Sequence, residues 1–486
     1  MSFPAPLTEV RENTAESLTL PMIKPTGFRE YDVRWRYPQE INLIGIQAVG
    51  LGLATQLHEA GLPPVVAVGN DYRSYSLAIK QALMLGLMSG GAEVRDIGLA
   101  LSPMAYFAQF DLDAQAVAMV TASHNPNGWT GVKIGMERPL THGPAEMGRL
   151  RDIVLGGTGV LRDGGRYSRA DGVRARYIDD LVGETRLTRP IKVVCATGNG
   201  TAGAFAPEVL TRLGAEVVPL HTELDHSFPH YNANPEAMEM LHDMARAVAD
   251  SGADLALGFD GDGDRCGVVD DEGEEIFADK MGVILARDLA RLHPGATFVA
   301  DVKSTGLFAS DPVLKALGAR ADYWKTGHSH MKRRVHELGA LAGFEKSGHY
   351  FLAPPIGRGY DCGLRVAVET LKLLDRNPDA KLSDLRKALP QTWTTPTLSP
   401  YCADEEKYAV IDRLVAKIAD MTHLGRFPIE TVVTVNGARI ILEGGGWALV
   451  RASSNTPNLV VVCESTTSET DLRDIFNAID AVVKSE

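Results

Sequence analysis

The chain is short of several features, each of which would have pointed to a function of its own. It has five cysteines in 486 residues, Cys195, Cys266, Cys362, Cys402 and Cys463, and no CxxC pair among them. That scatter excludes a zinc knuckle or a disulfide scaffold and fits a reducing compartment. No uninterrupted apolar run approaches the roughly 20 residues of a membrane span, and the start, MSFPAPLTEVRENTAESL, lacks the basic segment and apolar core of an export signal. Positive charge is also scarce: 49 Lys and Arg stand against 62 Asp and Glu, a formal net charge of -13. That balance opposes binding to nucleic acid or to an anionic membrane surface, while leaving room for a local basic pocket that holds a small anion. The expectation is a cytoplasmic protein, monomer or homodimer, with a small-molecule partner and a loose arm over its first twenty or so residues.

What is present is ordinary globular composition, 45% hydrophobic and 23% charged, which excludes disorder as the default. The length asks for three or four domains at about 100 to 200 residues each. Three regions share one layout of apolar strand, polar turn, amphipathic helix and a Leu-Gly-Ala-like turn into another strand. They begin at VVAVGNDYRS (Val65), KVVCATGNGTAG (Lys192) and FVADVKSTG (Phe298). Strands alternating with helices at this pitch predict α/β units. The last segment differs: the helical pattern EEKYAVIDRLVAKIADM precedes VVTVNGARIIL, where Asn436-Gly437 between apolar runs signals a hairpin. WALVRAS, NLVVVCES and LRDIFNAIDAVV then complete a small α+β unit. Proline-bearing stretches near Pro190, Pro294, Pro396 and Pro400 mark the joints. The expected domains are residues 1–189, 190–294, 295–399 and 400–486: three related mixed α/β domains and a smaller C-terminal α+β domain.

Four loops carry groups suited to chemistry. TASHNPNGWTGVK, Thr121 to Lys133, follows the strand-like AVAMV and brakes at Asn-Pro-Asn-Gly, so Ser123 is read as a reactive hydroxyl on an exposed bend. LALGFDGDGDRCGVVDDEG sets Asp260, Asp262 and Asp264 at alternate positions, which an extended backbone turns to one side. Two such charges about 4 Å apart repel by roughly 4 kcal/mol at an effective dielectric near 20, which a divalent cation relieves. Hard oxygen ligands suit Mg²⁺. An EF-hand falls behind, because its sixth position is Arg265 rather than glycine and its twelfth is Asp271 rather than glutamate. AGFEKSGHYF offers Glu345, Ser347 and His349 at alternate positions, a set able to hydrogen-bond sugar hydroxyls, and WKTGHSHMKRR upstream adds Lys325 and His328. RASSNTPNL joins Arg451 to Ser453, Ser454, Asn455 and Thr456, a bidentate guanidinium with short donors that can cradle a phosphate. Against these, GNGTAG (Gly198 to Gly203) matches the dinucleotide-binding pattern after a strand, but such matches come easily in a chain with 48 glycines.

Taken in order, FREYDVR at Phe28, TASHNP, DGDGDR, the GFEKSGH loop and RASSNTP resemble the α-D-phosphohexomutase family, especially its bacterial phosphomannomutase/phosphoglucomutase members, over nearly the whole chain. The resemblance implies four domains around a central active-site cleft, and an intramolecular phosphotransferase that interconverts hexose 1-phosphate and hexose 6-phosphate, of mannose or glucose. It implies Ser123 as phosphoryl carrier, Mg²⁺ held by Asp260, Asp262 and Asp264 with Ser123, and a hexose 1,6-bisphosphate as intermediate and activator. Glu345, Ser347, His349 and Lys325 would read the sugar. Arg451, Ser453, Ser454, Asn455 and Thr456 would hold the nonreacting phosphate. Arg34 and Lys133 would help neutralise the site, and Lys133, His328 and His349 are its candidates for moving protons. Three positions depart from the family pattern: Phe344 before the glutamate, Trp35 after Arg34, and SSNTP in the phosphate loop, which leaves Ser454, Asn455 and Thr456 open to a one-position slip. The alternatives are a phosphoglucosamine mutase, a noncatalytic phosphosugar-binding protein and, on GNGTAG alone, a nicotinamide enzyme.

Overall fold

The runs AVAMV and LALGF are apolar along their length, the pattern of strands covered on both faces, and both are buried at every position. The computed structural model describes residues 3–454 and 456–486. They form two compact units, Met1–Ile276 with Gly348–Leu382 and Phe277–Ser347 with Ser383–Glu486.

In the first unit, a six-stranded sheet runs Val33–Arg36, Trp129–Gly135, Ala116–Val120, Val65–Asn70, Glu93–Leu99, Arg166–Arg169. Its last four strands are parallel, and Trp129–Gly135 is antiparallel to both neighbours. A second sheet has Lys192–Ala196 parallel to Leu255–Phe259 and to Glu216–Leu220, while Cys266–Asp270 returns antiparallel beside Leu255–Phe259. Thr121 to Asn125 and Asp260 to Asp264 therefore follow the carboxyl ends of Ala116–Val120 and Leu255–Phe259. That is the edge where open α/β sheets bind ligands.

In the second unit, Thr297–Asp301 lies parallel between Arg320–Trp324 and Ala342–Phe344. The C-terminal part is a six-stranded antiparallel sheet, and Asn436-Gly437 joins the paired strands Phe427–Val433 and Ala438–Leu442. The helices Lys407–Ala419 and Glu469–Val483 contribute Leu414, Ile418, Ile475 and Ile479 to its core. Three mixed α/β sheets and a C-terminal α+β part agree with the fold class expected from sequence. Among the described residues, no helix is long and apolar enough to cross a membrane.

The loose N-terminal arm is a correction. Residues Ala15–Thr19 form a short helix capped by Thr14, and the Asn42 side chain ties the segment down: its Oδ1 accepts from Met22 N–H at 3.0 Å, and its Nδ2 donates to Ser17 O and Leu20 O at 2.9 and 2.8 Å. Met22 and Ile23 are buried. The polar letters hid this, because one buried asparagine far along the chain supplies the bonds. Two departures also find a packing reason. Trp35 is buried, with Nε1 donating to Lys24 O at 2.8 Å and its ring edge-on to Phe28. Phe344 is buried against Phe308 and Phe298.

Candidate active site

The aspartate loop is a tight turn rather than the extended segment expected. Gly263 takes φ +72°, and its N–H donates to Asp260 O at 3.2 Å. The bend, not strand alternation, gathers the carboxylates: Asp260, Asp262 and Asp264 are all 0% exposed, with one oxygen from each lying within 4.8 Å of the others. Glycine at 261 is required by close approach, since a Cβ there would stand 2.6 Å from Ser123 O.

Ser123 is not exposed as expected. It is 4% exposed and holds φ +54°, a left-handed conformation uncommon for a side-chain-bearing residue. Its N–H donates to Thr121 Oγ1 at 2.9 Å, and its Oγ lies 3.3 Å from Asp260 Oδ2 and 3.3 Å from His124 Nδ1. The structure thus brings Ser123 and the three aspartates together within one unit.

Lys133 completes the group from the neighbouring strand. Its Nζ donates to Asp262 Oδ2 at 2.8 Å and also to Asp264 Oδ2. Burial pulls the Lys133 ammonium toward neutrality, but Asp262 and Asp264 outweigh it and hold its pKa well above the usual lysine range. Asp260 goes the other way, its carboxyl pushed well up by burial and by the charges of Asp264 and Asp262. Asp262 also accepts from Ser102 Oγ at 2.5 Å. Even so, Asp262 Oδ1 and Asp264 Oδ1 are buried with no hydrogen-bond donor among the described residues. Bare carboxylate oxygens cost free energy in a buried site, and a hard divalent cation is the ligand whose chemistry fits them.

Basic groups surround this cluster. Arg34 donates through Nε to Asp32 Oδ2 at 2.9 Å and through Nη1 to Thr121 O at 2.7 Å. Arg265 N–H donates to Asp260 Oδ1 at 3.2 Å, and its Nε donates to His349 Nε2 at 3.0 Å. His349 Nδ1 lies 3.0 Å from Asp361 Oδ2 and 3.7 Å from Asp264 Oδ1. The imidazole expected among the sugar readers therefore sits beside the aspartate turn. The positive charge of Arg265, then burial and Arg34, push the His124 pKa well below the usual histidine range.

GNGTAG is a buttress for the same turn. Thr201 N–H donates to Gly261 O at 3.2 Å, and Thr201 Oγ1 accepts from Tyr72 N–H at 2.9 Å.

The remaining candidates belong to the second unit. Glu345 is 1% exposed and accepts from Gly327 N–H, while Ser347 Oγ donates to Glu345 Oε2 at 3.4 Å. Lys325 precedes the helix His328–Leu338, which His328 opens, and His328 Nδ1 lies 3.5 Å from Lys332 Nζ. Arg451 is the penultimate residue of the strand Trp447–Ala452, and the hydroxyls of Ser453 and Thr456 meet at 2.9 Å. Ser454 is half-buried beside them, and Asn455 lies outside the described residues. The sequence reading missed Arg73, Asp71 and Ser102. The first two stand in NDYRS, noticed there only as a strand end, and Ser102 carries no motif at all.

Family models match along the chain in order: phosphoglucomutase/phosphomannomutase α/β/α domain I over residues 25–158, domain II over 175–273, domain III over 277–393, and the C-terminal domain over 402–482. The chain belongs to the phosphoglucomutase/phosphomannomutase family. Members of this family are phosphohexomutases, intramolecular phosphotransferases. Among its relatives, the phosphomannomutase/phosphoglucomutase of Pseudomonas putida is 33% identical over 452 residues, covering 92% of this chain and 94% of that one. The phosphoglucomutase of Neisseria gonorrhoeae is 32% identical over 460 residues, 94% and 96% of the two chains. A crystal structure of a phosphoglucomutase/phosphomannomutase family protein from Burkholderia thailandensis superposes with a TM-score of 0.87 at 30% identity, covering 96% of this chain and 98% of that one.

Proposed function

We propose that this phosphohexomutase moves a phosphoryl group between the 1- and 6-positions of mannose or glucose phosphates, with Ser123 as carrier and a hexose 1,6-bisphosphate as intermediate. One observation carries the reading: Ser123 Oγ stands 3.3 Å from Asp260 in a buried turn of three carboxylates, two of them bearing an oxygen with no hydrogen-bond donor among the described residues. Asp260, Asp262 and Asp264 would hold Mg²⁺ together with Ser123. When bound, the ion supplies positive charge that lowers the cost of placing a phosphate dianion there.

The chain's own groups do the rest. A sugar hydroxyl oxygen bonds to the phosphorus as the bond to Ser123 Oγ breaks, and the hydroxyl proton leaves as the serine oxygen gains one. Such a transfer needs in-line placement and charge stabilisation. Arg34, Lys133 and Arg265 supply the fixed positive charge. Lys133 is held as an ammonium by two aspartates, so its part is a cation's rather than a base's. His124 Nδ1, 3.3 Å from Ser123 Oγ, is placed to take the serine proton as the phosphoryl group returns, and the imidazolium so formed is the acid that gives it back in the reverse step. Glu345, Ser347, His349 and Lys325 would read the sugar, with His328 and His349 as candidates for the sugar hydroxyl proton, and Arg451, Ser453, Ser454, Asn455 and Thr456 would hold the distal phosphate. The division into residues 1–189, 190–294, 295–399 and 400–486 assigns one of these tasks to each domain.

The test is a set of coupled assays on mannose 1-phosphate, glucose 1-phosphate and glucosamine 6-phosphate with Mg²⁺ and a bisphosphosugar activator. Turnover of the first two supports the reading. Turnover of glucosamine 6-phosphate alone assigns a phosphoglucosamine mutase, and binding without turnover overturns catalysis.

A further inference from the structure

The buried guanidinium of Arg73 has no part in the chemistry described so far. It is 5% exposed, and each of its nitrogens is occupied. Nε donates to Asp71 Oδ2 at 3.2 Å, Nη1 donates to Pro126 O at 3.0 Å, and Nη2 donates to Ser123 O at 3.0 Å and to Asn125 O at 2.6 Å. Three carbonyls of the serine loop thus converge on one side chain from the strand edge 50 residues earlier. Asp71 adds to the grip from below: its Oδ2 also accepts from Ala122 N–H at 3.2 Å, and its Oδ1 accepts from Ser76 Oγ. On the far side, the Phe228 ring lies 5.3 Å from the guanidinium carbon.

The loop it holds has one turn bond of its own across Ser123, from Asn125 N–H to Ala122 O at 3.0 Å, and that bond does not engage the carbonyls of Ser123 and Asn125. Ser123 sits in the left-handed region, which side-chain-bearing residues leave unless their surroundings over-determine the conformation. Its backbone N–H is restrained locally by the bond to Thr121 Oγ1. Its carbonyl faces Gly261 of the aspartate turn on one side and Arg73 on the other. A planar fork with several fixed donors can span three carbonyls at once, whereas a lysine ammonium is a single point.

We propose that Arg73 is a positioning residue: by gathering the carbonyls of Ser123, Asn125 and Pro126 it keeps Ser123 left-handed and its Oγ aimed at the Asp260 side of the aspartate turn. This deepens the phosphoserine reading and rests on it. Arg73 meets no substrate. Its loss acts through the aim of Oγ, so it lowers the rate of transfer and leaves sugar-phosphate binding alone.

The experiment compares wild type with Arg73→Lys, Arg73→Ala and Phe228→Leu, reading kcat and KM for glucose 1-phosphate, amide exchange over residues 121–130, and rescue of Arg73→Ala by added guanidinium chloride at low millimolar concentration. The expected result is a kcat lowered on the order of 100-fold in Arg73→Ala, the scale of a misplacement of about 1 Å. KM should change by less than about threefold, by the same argument that only transition-state interactions are lost. Exchange should quicken in residues 121–130 but not in the strand Ala116–Val120. Guanidinium should recover part of the rate and lysine little of it. Phe228→Leu, at a half-buried site, should lose roughly two- to fivefold in kcat, the worth of one cation–π contact. It serves as the deciding variant if Arg73→Ala does not fold. Near-wild-type kcat in a folded Arg73 variant overturns the proposal. So does exchange that rises equally through the whole sheet with no guanidinium rescue, and so does an unaltered kcat in Phe228→Leu where that variant decides. Wild-type protein that does not turn over phosphosugars would overturn the function reading itself, a separate outcome.

Discussion

Ser123 Oγ and Asp260 Oδ2 lie 3.3 Å apart although 137 residues separate them in the chain. Two sheets present their carboxyl edges to each other here, and the approach is tight enough that Gly261 cannot carry a side chain. A hydroxyl beside an acidic turn is a poor place for a phosphate unless positive charge is brought to it.

Replacing Ser123 separates chemistry from folding. Ser123→Ala should lower turnover by at least roughly a thousandfold, as removal of a covalent nucleophile does. Ser123→Gly should be equally inactive yet as stable as wild type or more so, by up to about 1 kcal/mol, because glycine takes φ +54° without steric cost. Assays and thermal melts of the two variants check this. Near-normal turnover in either contradicts the carrier role.

Lys133 balances charge that a divalent ion would also answer. Lys133→Met strands Asp262 and Asp264 in a buried site, and loss of one partner from such a pair costs about 3 to 5 kcal/mol. The metal-free variant should melt well below wild type, and Mg²⁺ should raise its melting temperature more than it raises that of wild type. Equal Mg²⁺ shifts in the two proteins would count against a shared site.

Asp262→Asn should reduce activity at least tenfold and raise the Mg²⁺ concentration needed for half-maximal activity, since it removes a charge from a carboxylate with one oxygen still unpartnered. Metal titrations of both proteins check it. An unchanged Mg²⁺ requirement would remove Asp262 from the ligand set.

How much of this was legible in the letters depends on distance along the chain. Ser123, the three aspartates and Lys133 lie in short runs, so the chemistry they suggest could be read locally. The aspartates were read correctly as converging but through the wrong geometry, because DGDGD fits alternation in a strand as well as a bend turned by Gly263. Ser123 was read as exposed because Asn-Pro-Asn-Gly signals a surface turn; the aspartate turn and GNGTAG that bury it come from another sheet. Arg73 and Ser102 were not legible as site residues. Their partners stand 50 and 160 residues away, and neither residue type nor spacing announces them. The same limit applied to Asn42, which pins an N-terminal segment that looked unstructured.

Acid stability should depend on Glu464. Burial alone would raise its carboxyl, but the Lys280 charge, Gly306 N–H and Trp447 Nε1–H outweigh burial and hold it down to about 2. These contacts are close: Lys280 Nζ at 3.0 Å, Gly306 N at 2.7 Å and Trp447 Nε1 at 2.9 Å. A carboxyl depressed on folding adds stability above its unfolded value, and that stability is lost as pH falls through the folded value. Wild type should therefore lose on the order of 3 kcal/mol from this group between about pH 4.5 and 2. Glu464→Gln should be less stable near neutrality and flatter through that window. Parallel slopes in denaturant titrations across those pH values would show that the carboxylate is not the source.

The most direct test of the account follows the phosphoryl group itself. The purified protein is incubated with glucose 1,6-bisphosphate and Mg²⁺, its intact mass is measured, and the modified site is mapped by peptide sequencing before and after a chase with glucose 1-phosphate. One phosphoryl on Ser123 that leaves during the chase and reappears in sugar is the predicted result. A protein that turns over phosphosugars while Ser123 stays unmodified, or that carries the phosphoryl on another residue, would contradict it.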